Sequence, residues 1–342
     1  MNERDLIEHI RQLASLENGD LPDTLLRGIG DDCAVIEKDD ETVHLLTMDT
    51  LVESVHFDCA WHPPELLGRK AVAVNVSDIA AMGGKPVFAL LSLGLPSDFN
   101  TEWSAQLSRG IIEACSQYGC LLIGGDTVCS PKKITLTLTV IGEMNRDQVL
   151  YRHTAKPGDT IWVSGPLGYS AAGLALLRTM ECMELPDRYA FKMQPCVKAH
   201  LDPSARVGLA SLLARTGYVH AMMDLSDGLA TDLSHLCQLS RIGARIEAKR
   251  IPGHDGLSAA ADFLQEDPIN WMVEGGEDYE LLFTASSADT PDLLKKIEEQ
   301  HYTVYPVGTV VDGQGVTLVR ETASGFDEKK ISFQGFDHFN KS

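Results

Sequence analysis

The sequence predicts a mixed α/β protein of two domains. Three observations lead there. Strand-like and helix-like segments alternate in both halves of the chain, as in α/β or α+β folds. The 342 residues, 44% of them hydrophobic, exceed what one ordinary core needs. A charged break containing Pro157 and Gly158, "RDQVLYRHTAKPGD", interrupts the pattern in the middle and gives units of 1–149 and 150–342.

The elements follow in order. Leu6, Ile7, Ile10 and Leu13 fall at helical spacing over residues 3–16. "CAVIE" and "VHLLTMDTLV" read as strands, the second turning polar at Thr47–Thr50. "PPELLGRKAVAVNVSDIAAMGG" reads as a helix, a link and a second short helix stopped at Gly83-Gly84. "VFALLSLGLP" is a buried strand ended by Pro96. "TEWSAQLSRGIIEACSQYG" is a helix capped by Thr101 and closed by Gly119. "CLLIGGDT" is a strand running into a glycine turn, and "ITLTLTVIGEM" alternates with period two. Beyond the break, "TIWVSG", "HAMMD", "ARIEAKRI", "DYELLFTAS" and "TVYPVGTVV" read as strands. "YSAAGLALLRTM", the stretch after "DLSDG", and "TPDLLKKIEEQH" read as helices. No solenoid repeat is visible, only an echo between "NVSDIAAMG" and "MDLSDGLATD".

A formal net charge of −20 argues against nucleic acid and anionic membrane as partners. Phosphate would be repelled too unless cations, Mg²⁺ foremost, mediate. The eight cysteines form no CxxC pair and no zinc spacing. The opening "MNERDLIEHIRQL" is charged rather than signal-like, and no apolar run reaches the roughly 18 residues of a membrane span. A reduced, cytoplasmic protein is expected.

The chemistry-bearing residues are carboxylates. Asp31, Asp32, Asp49, Asp78, Asp126, Asp224 and Asp227 each stand at an apparent strand end or turn. Singly, each reads as a cap or turn residue. Converging, they would repel one another unless a cation neutralised them, and hard oxygen donors suit Mg²⁺. "LIGGDT" offers close backbone approach at Gly124 and Gly125, and "SGPLGYSAAG" offers helix-start N–H groups to an anion. Arg152 reads as a surface cation or a phosphate clamp, and His56 as a half-buried histidine. No dinucleotide fingerprint, P-loop, protein-kinase motif set, GxSxG elbow or HExxH occurs.

"GIGDDCAV", "TMDTLVESVHF", "AVNVSDIAAMGGKP", "LIGGDT", "AKPGDTIWVSGPLGYSAAGLALL", "DLSDGLATDL", "EGGEDYELLF" and "FQGFDHF" occur in this order and span nearly the whole chain. Together they resemble the thiamine-monophosphate kinase family, within the superfamily of aminoimidazole ribonucleotide synthetase. The resemblance implies the two-domain fold of that superfamily, with N-terminal sheets of two subunits pairing into a barrel across a homodimer. It implies ATP-dependent phosphorylation of thiamine monophosphate to thiamine diphosphate with several Mg²⁺ ions. It places Asp32, Thr47, Met48, Asp49, Asp78, Asp126, Asp224 and Asp227 on metal, Met48 only through its backbone carbonyl. Tyr118, Gly125, Asp126, Arg152 and Ser226 would meet ATP, and His56, Glu277 and Phe333 the thiamine substrate. Asp78, Asp126 and Arg152 would carry the catalysis. Another ATP-dependent synthetase of the superfamily, or a non-catalytic thiamine-phosphate sensor, is the competing reading; the full acidic set speaks against a sensor.

Overall fold

The computed structural model describes residues 3–17, 22–180, 187–253, 255–322 and 325–331. Helix α1 (Glu3–Glu17) leads into strands β1 (Leu25–Arg27), β2 (Ala34–Glu37) and β3 (Thr42–Val52). Helix α2 (Pro64–Ala81), strand β4 (Lys85–Leu95), helix α3 (Thr101–Tyr118), and strands β5 (Leu121–Cys129) and β6 (Thr135–Asn145) follow. Then come β7 (Asp159–Val163), α4 (Tyr169–Met180), α5 (Asp187–Leu201), α6 (Val207–Thr216), β8 (Val219–Asp224), α7 (Leu229–Ser240) and β9 (Gly243–Glu247). The chain continues through α8 (Asp255–Leu264), α9 (Pro268–Glu274), β10 (Leu281–Ser286), α10 (Thr290–Glu299), β11 (Tyr305–Val311), β12 (Gly315–Thr322) and β13 (Gly325–Ile331).

The strands form two sheets, in line with the two-domain α/β expectation. The first has the order β1-β2-β3-β6-β4-β5, the second β13-β12-β9-β11-β7-β10-β8. Neither closes into a barrel among the described residues. In the first sheet only β4 and β5 run parallel, and β5 is its outer edge. One face of that sheet packs on α2 and α3 through Val43, Leu45, Leu136, Leu138, Ile79 and Leu107. The second sheet is covered on both faces. Ile161 and Val163 point into the core shared with α7, while Trp162 points into the one shared with α6 and α10. Period-two alternation along β7 divides the two cores. Buried residues cross between the halves: Tyr279 packs into the first core, and Ala80 into the α6/α10 core, with Ala205, Val207 and Met144 packed alongside.

Helix α2 corrects the expectation of two short helices. It runs unbroken for 18 residues, with nearly every side chain after Glu65 buried, because it lies between the first sheet, α3 and the second domain. The Ser and Asp of "VSD" therefore sit inside a helix, not at a cap. Helix α3 is capped by Asn100, one residue before the expected Thr101. The Asn100 side chain accepts from Glu102 N (2.8 Å) and Trp103 N (3.1 Å). Gly119 closes α3 at φ 72°, as expected. Strand β5 does not turn at its glycines; it runs through them to Cys129. Helices α5, α6, α8 and α9 went unread in the sequence. No helix among the described residues is long and apolar enough to cross a membrane.

Helices α2 and α3 meet backbone to backbone. A Cβ on Gly110 would lie 1.9 Å from Glu65 O, and one on Gly68 2.3 Å from Leu107 O. Gly110→Ala should therefore push the helices apart and cost about 1–3 kcal/mol in urea unfolding, as overpacking does. An unchanged midpoint would show that the pair reseats freely.

Candidate active site

Three carboxylates from three chain segments meet where the two domains touch. Asp32 precedes β2, Asp78 lies in α2, and Asp224 ends β8. One oxygen from each lies within 4.8 Å of the others. The sequence dictates each placement locally. Asp224 terminates a buried strand, and α2 turns Asp78 toward that strand end. Burial pushes the Asp78 carboxyl well up, and repulsion from Asp49, Asp224 and Asp32 adds to it. Burial and Asp32 push Asp224 up to about 8. Burial also raises Asp49, whose repulsion reaches both. Hydrogen bonds orient these groups: Thr47 Oγ1 donates to Asp78 Oδ2 (2.5 Å), and Ser77 Oγ to Asp224 Oδ2 (2.6 Å). Asn75 fixes the strand beside them by accepting from Asp49 N (2.9 Å) while donating to Ala71 O (3.0 Å). An all-oxygen donor set under mutual repulsion fits a hard divalent cation such as Mg²⁺, whose charge would relieve that repulsion.

The two adjacent aspartates divide their work. Arg152 grips Asp32 with both arms of its guanidinium; Nε is 2.9 Å from Oδ2 and Nη2 contacts Oδ1. Burial opposes the charge of Arg152, but Asp32 outweighs it and the guanidinium stays protonated. Asp31 faces the other way. It accepts from Arg152 N (3.2 Å) and lies 3.2 Å from Arg27 Nε, with burial and Asp32 raising it to about 6. Asp32 is thus the member of the pair that joins the acidic centre.

The glycine-rich stretches of the second half serve the chain's own anions. Gly168 N and Ser170 N donate to the Asp278 carboxylate (2.7 and 3.3 Å), so the start of α4 already holds an anion. Gly165 leaves room for Glu280, whose Oε2 accepts from Ser164 Oγ (2.5 Å) and Arg206 Nε (2.7 Å). The expected anion cradle of "SGPLGYSAAG" is filled from within. The "DLSDG" loop is likewise pinned: Asp227 N and Gly228 N donate to the buried Asp232 (3.1 and 3.0 Å). Glu277 N and Tyr279 N bond Ser226 O and Leu225 O (2.7 and 2.9 Å). Glu277 and Tyr279 are left-handed, at φ 64° and 50°. Such a backbone persists only where its surroundings enforce it.

Glu277 sits against Lys70 of α2 and His200 of α5, at 3.0 and 3.2 Å. Burial opposes its charge, yet these two outweigh it and hold the carboxyl well below the usual range. His62, stacked on Trp61, lies in the same pocket, and its Nε2 faces Leu201 O at 3.1 Å. Burial, Lys70 and His200 depress it to about 3.

Other predicted site residues lie elsewhere. Met48 is 65% exposed, on the face of β3 opposite Leu45 and Leu51, so its thioether is turned from the acidic centre. Asp126 lies on the exposed edge strand β5, level with Ser92, and is not part of the three-carboxylate group. Gly125 is obligatory beside it, since a Cβ would meet Leu91 O at 1.7 Å. Tyr118 uses its hydroxyl to accept from Ala205 N (3.0 Å) between the halves. His56 Nδ1 accepts from Val52 N (3.0 Å) in the turn after β3. Phe333 lies outside the described residues. Sequence reasoning missed Asn75, Ser77, Lys70, His200, Asp232 and Asp278. The echo of two Ser-Asp pairs was a signal for Ser77, which meets Asp224 directly. A lysine inside "GRKAVAVNV" was one for Lys70.

The two-sheet fold and the interdomain acidic centre define a class. Residues 30–144 match the AIR synthase related protein N-terminal domain, and residues 156–321 match its C-terminal domain. Within that class the chain belongs to the thiamine-monophosphate kinase family. It is 36% identical to the thiamine-monophosphate kinase of Bacillus subtilis, covering 91% of this chain and 93% of that protein. It is 35% identical to that of Escherichia coli K12, covering 91% of each. The solved structure of AaThiL complexed with AMPPCP and TMP superposes with a TM-score of 0.82 at 34% identity, over 99% of this chain and 97% of that one.

Two measurements test the site. MgCl₂ should raise Tm and release protons, EDTA should reverse this, and Asp78→Asn should remove the shift without lowering the metal-free Tm, because it deletes a repelling charge. A metal-free Asp78→Asn protein that melts early would show the carboxylate to be structural instead. His62 has a folded pKa depressed below its ordinary 6.5. Its neutral form therefore contributes stability that is fully present above pH 6.5 and is lost as pH falls toward about 3. His62→Gln should flatten that part of the stability–pH curve; parallel curves would refute the assignment.

Proposed function

We propose that the chain transfers the γ-phosphoryl group of ATP to the phosphate of thiamine monophosphate, giving thiamine diphosphate and ADP. The observation that carries this reading is likeness over nine-tenths or more of the chain to proteins named thiamine-monophosphate kinase. The interdomain carboxylates give it a physical basis.

The acceptor is itself a phosphate and carries an anionic oxygen, so no side chain must create a nucleophile. That agrees with a site rich in carboxylates and free of any triad motif. What remains is positioning and charge neutralisation. Asp32, Asp78 and Asp224 would hold Mg²⁺, with Asp49, Asp227 and Thr47 alongside; bound there, the metal would offset the charge of the phosphates in an in-line transfer. Arg152, which holds Asp32, would also contact ATP phosphate. Asp126, Gly125, Tyr118 and Ser226 are assigned to the nucleotide. His56, Glu277 and Phe333 are assigned to the thiamine, Phe333 by stacking on its cationic ring and Glu277 by opposite charge.

A homodimer belongs to the same reading. All nine residues of edge strand β5 are exposed, Leu121, Leu122, Ile123 and Val128 among them. A long apolar edge of this kind is a template for strand pairing. A second copy meeting it would extend both six-stranded sheets toward a barrel. A cytoplasmic location completes the reading.

Purified protein with ATP, thiamine monophosphate and Mg²⁺ should form thiamine diphosphate and ADP; failure to do so ends the proposal. Asp78→Asn and Asp126→Asn should each lower kcat by about 10²-fold or more, as lost charge stabilisation does. Full turnover in either removes that residue from the mechanism. Light scattering should give a dimer mass, shifted to monomer by Ile123→Lys; a wild-type monomer at micromolar concentration would overturn the pairing.

A further inference from the structure

Lys70 stands out within α2. It is fully buried, and its Nζ has no acceptor other than Glu277 Oε1 among the described residues. The other carboxylate oxygen of Glu277 faces His200 Nδ1, which also meets Ser170 Oγ at 3.1 Å. His200 is itself 2% exposed. Two cationic or donor groups, one from each domain, therefore hold one carboxylate from behind. A quarter of the Glu277 side chain stays accessible in front.

Folding alone does not account for this arrangement. Burying an ion pair costs desolvation, and an apolar pair of similar volume serves stability as well or better. The Glu277 backbone is also left-handed, which costs further free energy. Both costs are explained if the orientation of Glu277 is what matters. We infer that Lys70 and His200 are positioning residues that fix Glu277 for the cationic ring of the substrate, and that α2 sets the spacing between that carboxylate and the acidic centre. Lys70 and Asp78 are eight residues apart on one rigid helix, about 12 Å along its axis at about 1.5 Å per residue. The site would thus select a cation tethered to a phosphate over a defined length. This rests on the reading that Glu277 faces the thiamine end of the substrate.

Steady-state kinetics on the full-length protein separate the possibilities. Lys70→Met and His200→Leu should each raise KM for thiamine monophosphate about tenfold or more, with KM for ATP and kcat within about twofold. The Mg²⁺-induced rise in Tm should persist in both. His200→Asn, which keeps an N–H donor near the Nδ1 position, should stay within about threefold of wild type. Lys70→Met should add less than about twofold on top of Glu277→Gln, because it acts through that carboxylate. Unchanged KM values in Lys70→Met and His200→Leu, with Glu277→Gln impaired, would overturn the positioning role alone. So would a full additional effect of Lys70→Met in the Glu277→Gln background. Unchanged KM in Glu277→Gln itself would remove Glu277 from the substrate site, and the inference with it.

Discussion

Repulsion among buried carboxylates is the constraint on which the rest of the site depends. Asp32, Asp78 and Asp224 are brought together by a loop, a helix and a strand end that belong to different parts of the chain. Like charges at that range in a water-poor interior do not assemble unaided. The fold holds them by fixing each through a neighbour: Arg152 on Asp32, Thr47 on Asp78, and Ser77 on Asp224. The remaining excess of negative charge is what a divalent cation would offset.

Helix α2 makes this possible. It is buried on nearly all sides, so its polar residues cannot turn to solvent and must find partners inside the protein, in either domain. Asn75 anchors β3, Ser77 reaches β8, Asp78 enters the acidic centre, and Lys70 reaches the 275–280 loop. The backbone contacts at Gly68 and Gly110 press α2 onto α3 and set its position. One rigid element thereby registers the acidic end of the site against Glu277.

The second half of the chain uses its glycine-rich loops differently from their usual appearance. Asp278, Glu280 and Asp232 take up backbone N–H groups and an arginine that an unliganded loop would offer to phosphate. These bonds lock the loops after β7, β8 and α9 into one frame. On the proposed reading, phosphate binding would then fall to a metal held by the interdomain carboxylates and to Arg152, since a chain of net charge −20 repels free phosphate.

The sequence alone established the two-domain α/β class, most strands, the helices at α3, α4, α7 and α10, and the candidate carboxylates, because periodicity and turn chemistry are local properties. Its ordered motifs also pointed to the family. What only the tertiary structure decided was convergence. Asp32, Asp78 and Asp224 are 46 and 146 residues apart in sequence and meet only when α2 packs between the domains. The continuity of α2, the division between Asp31 and Asp32, the occupation of the α4 start by Asp278, and the pairing of Lys70 with Glu277 all depend on that packing. Each involves a partner distant in the chain, and no local pattern of residues records which distant partner a buried charge will find.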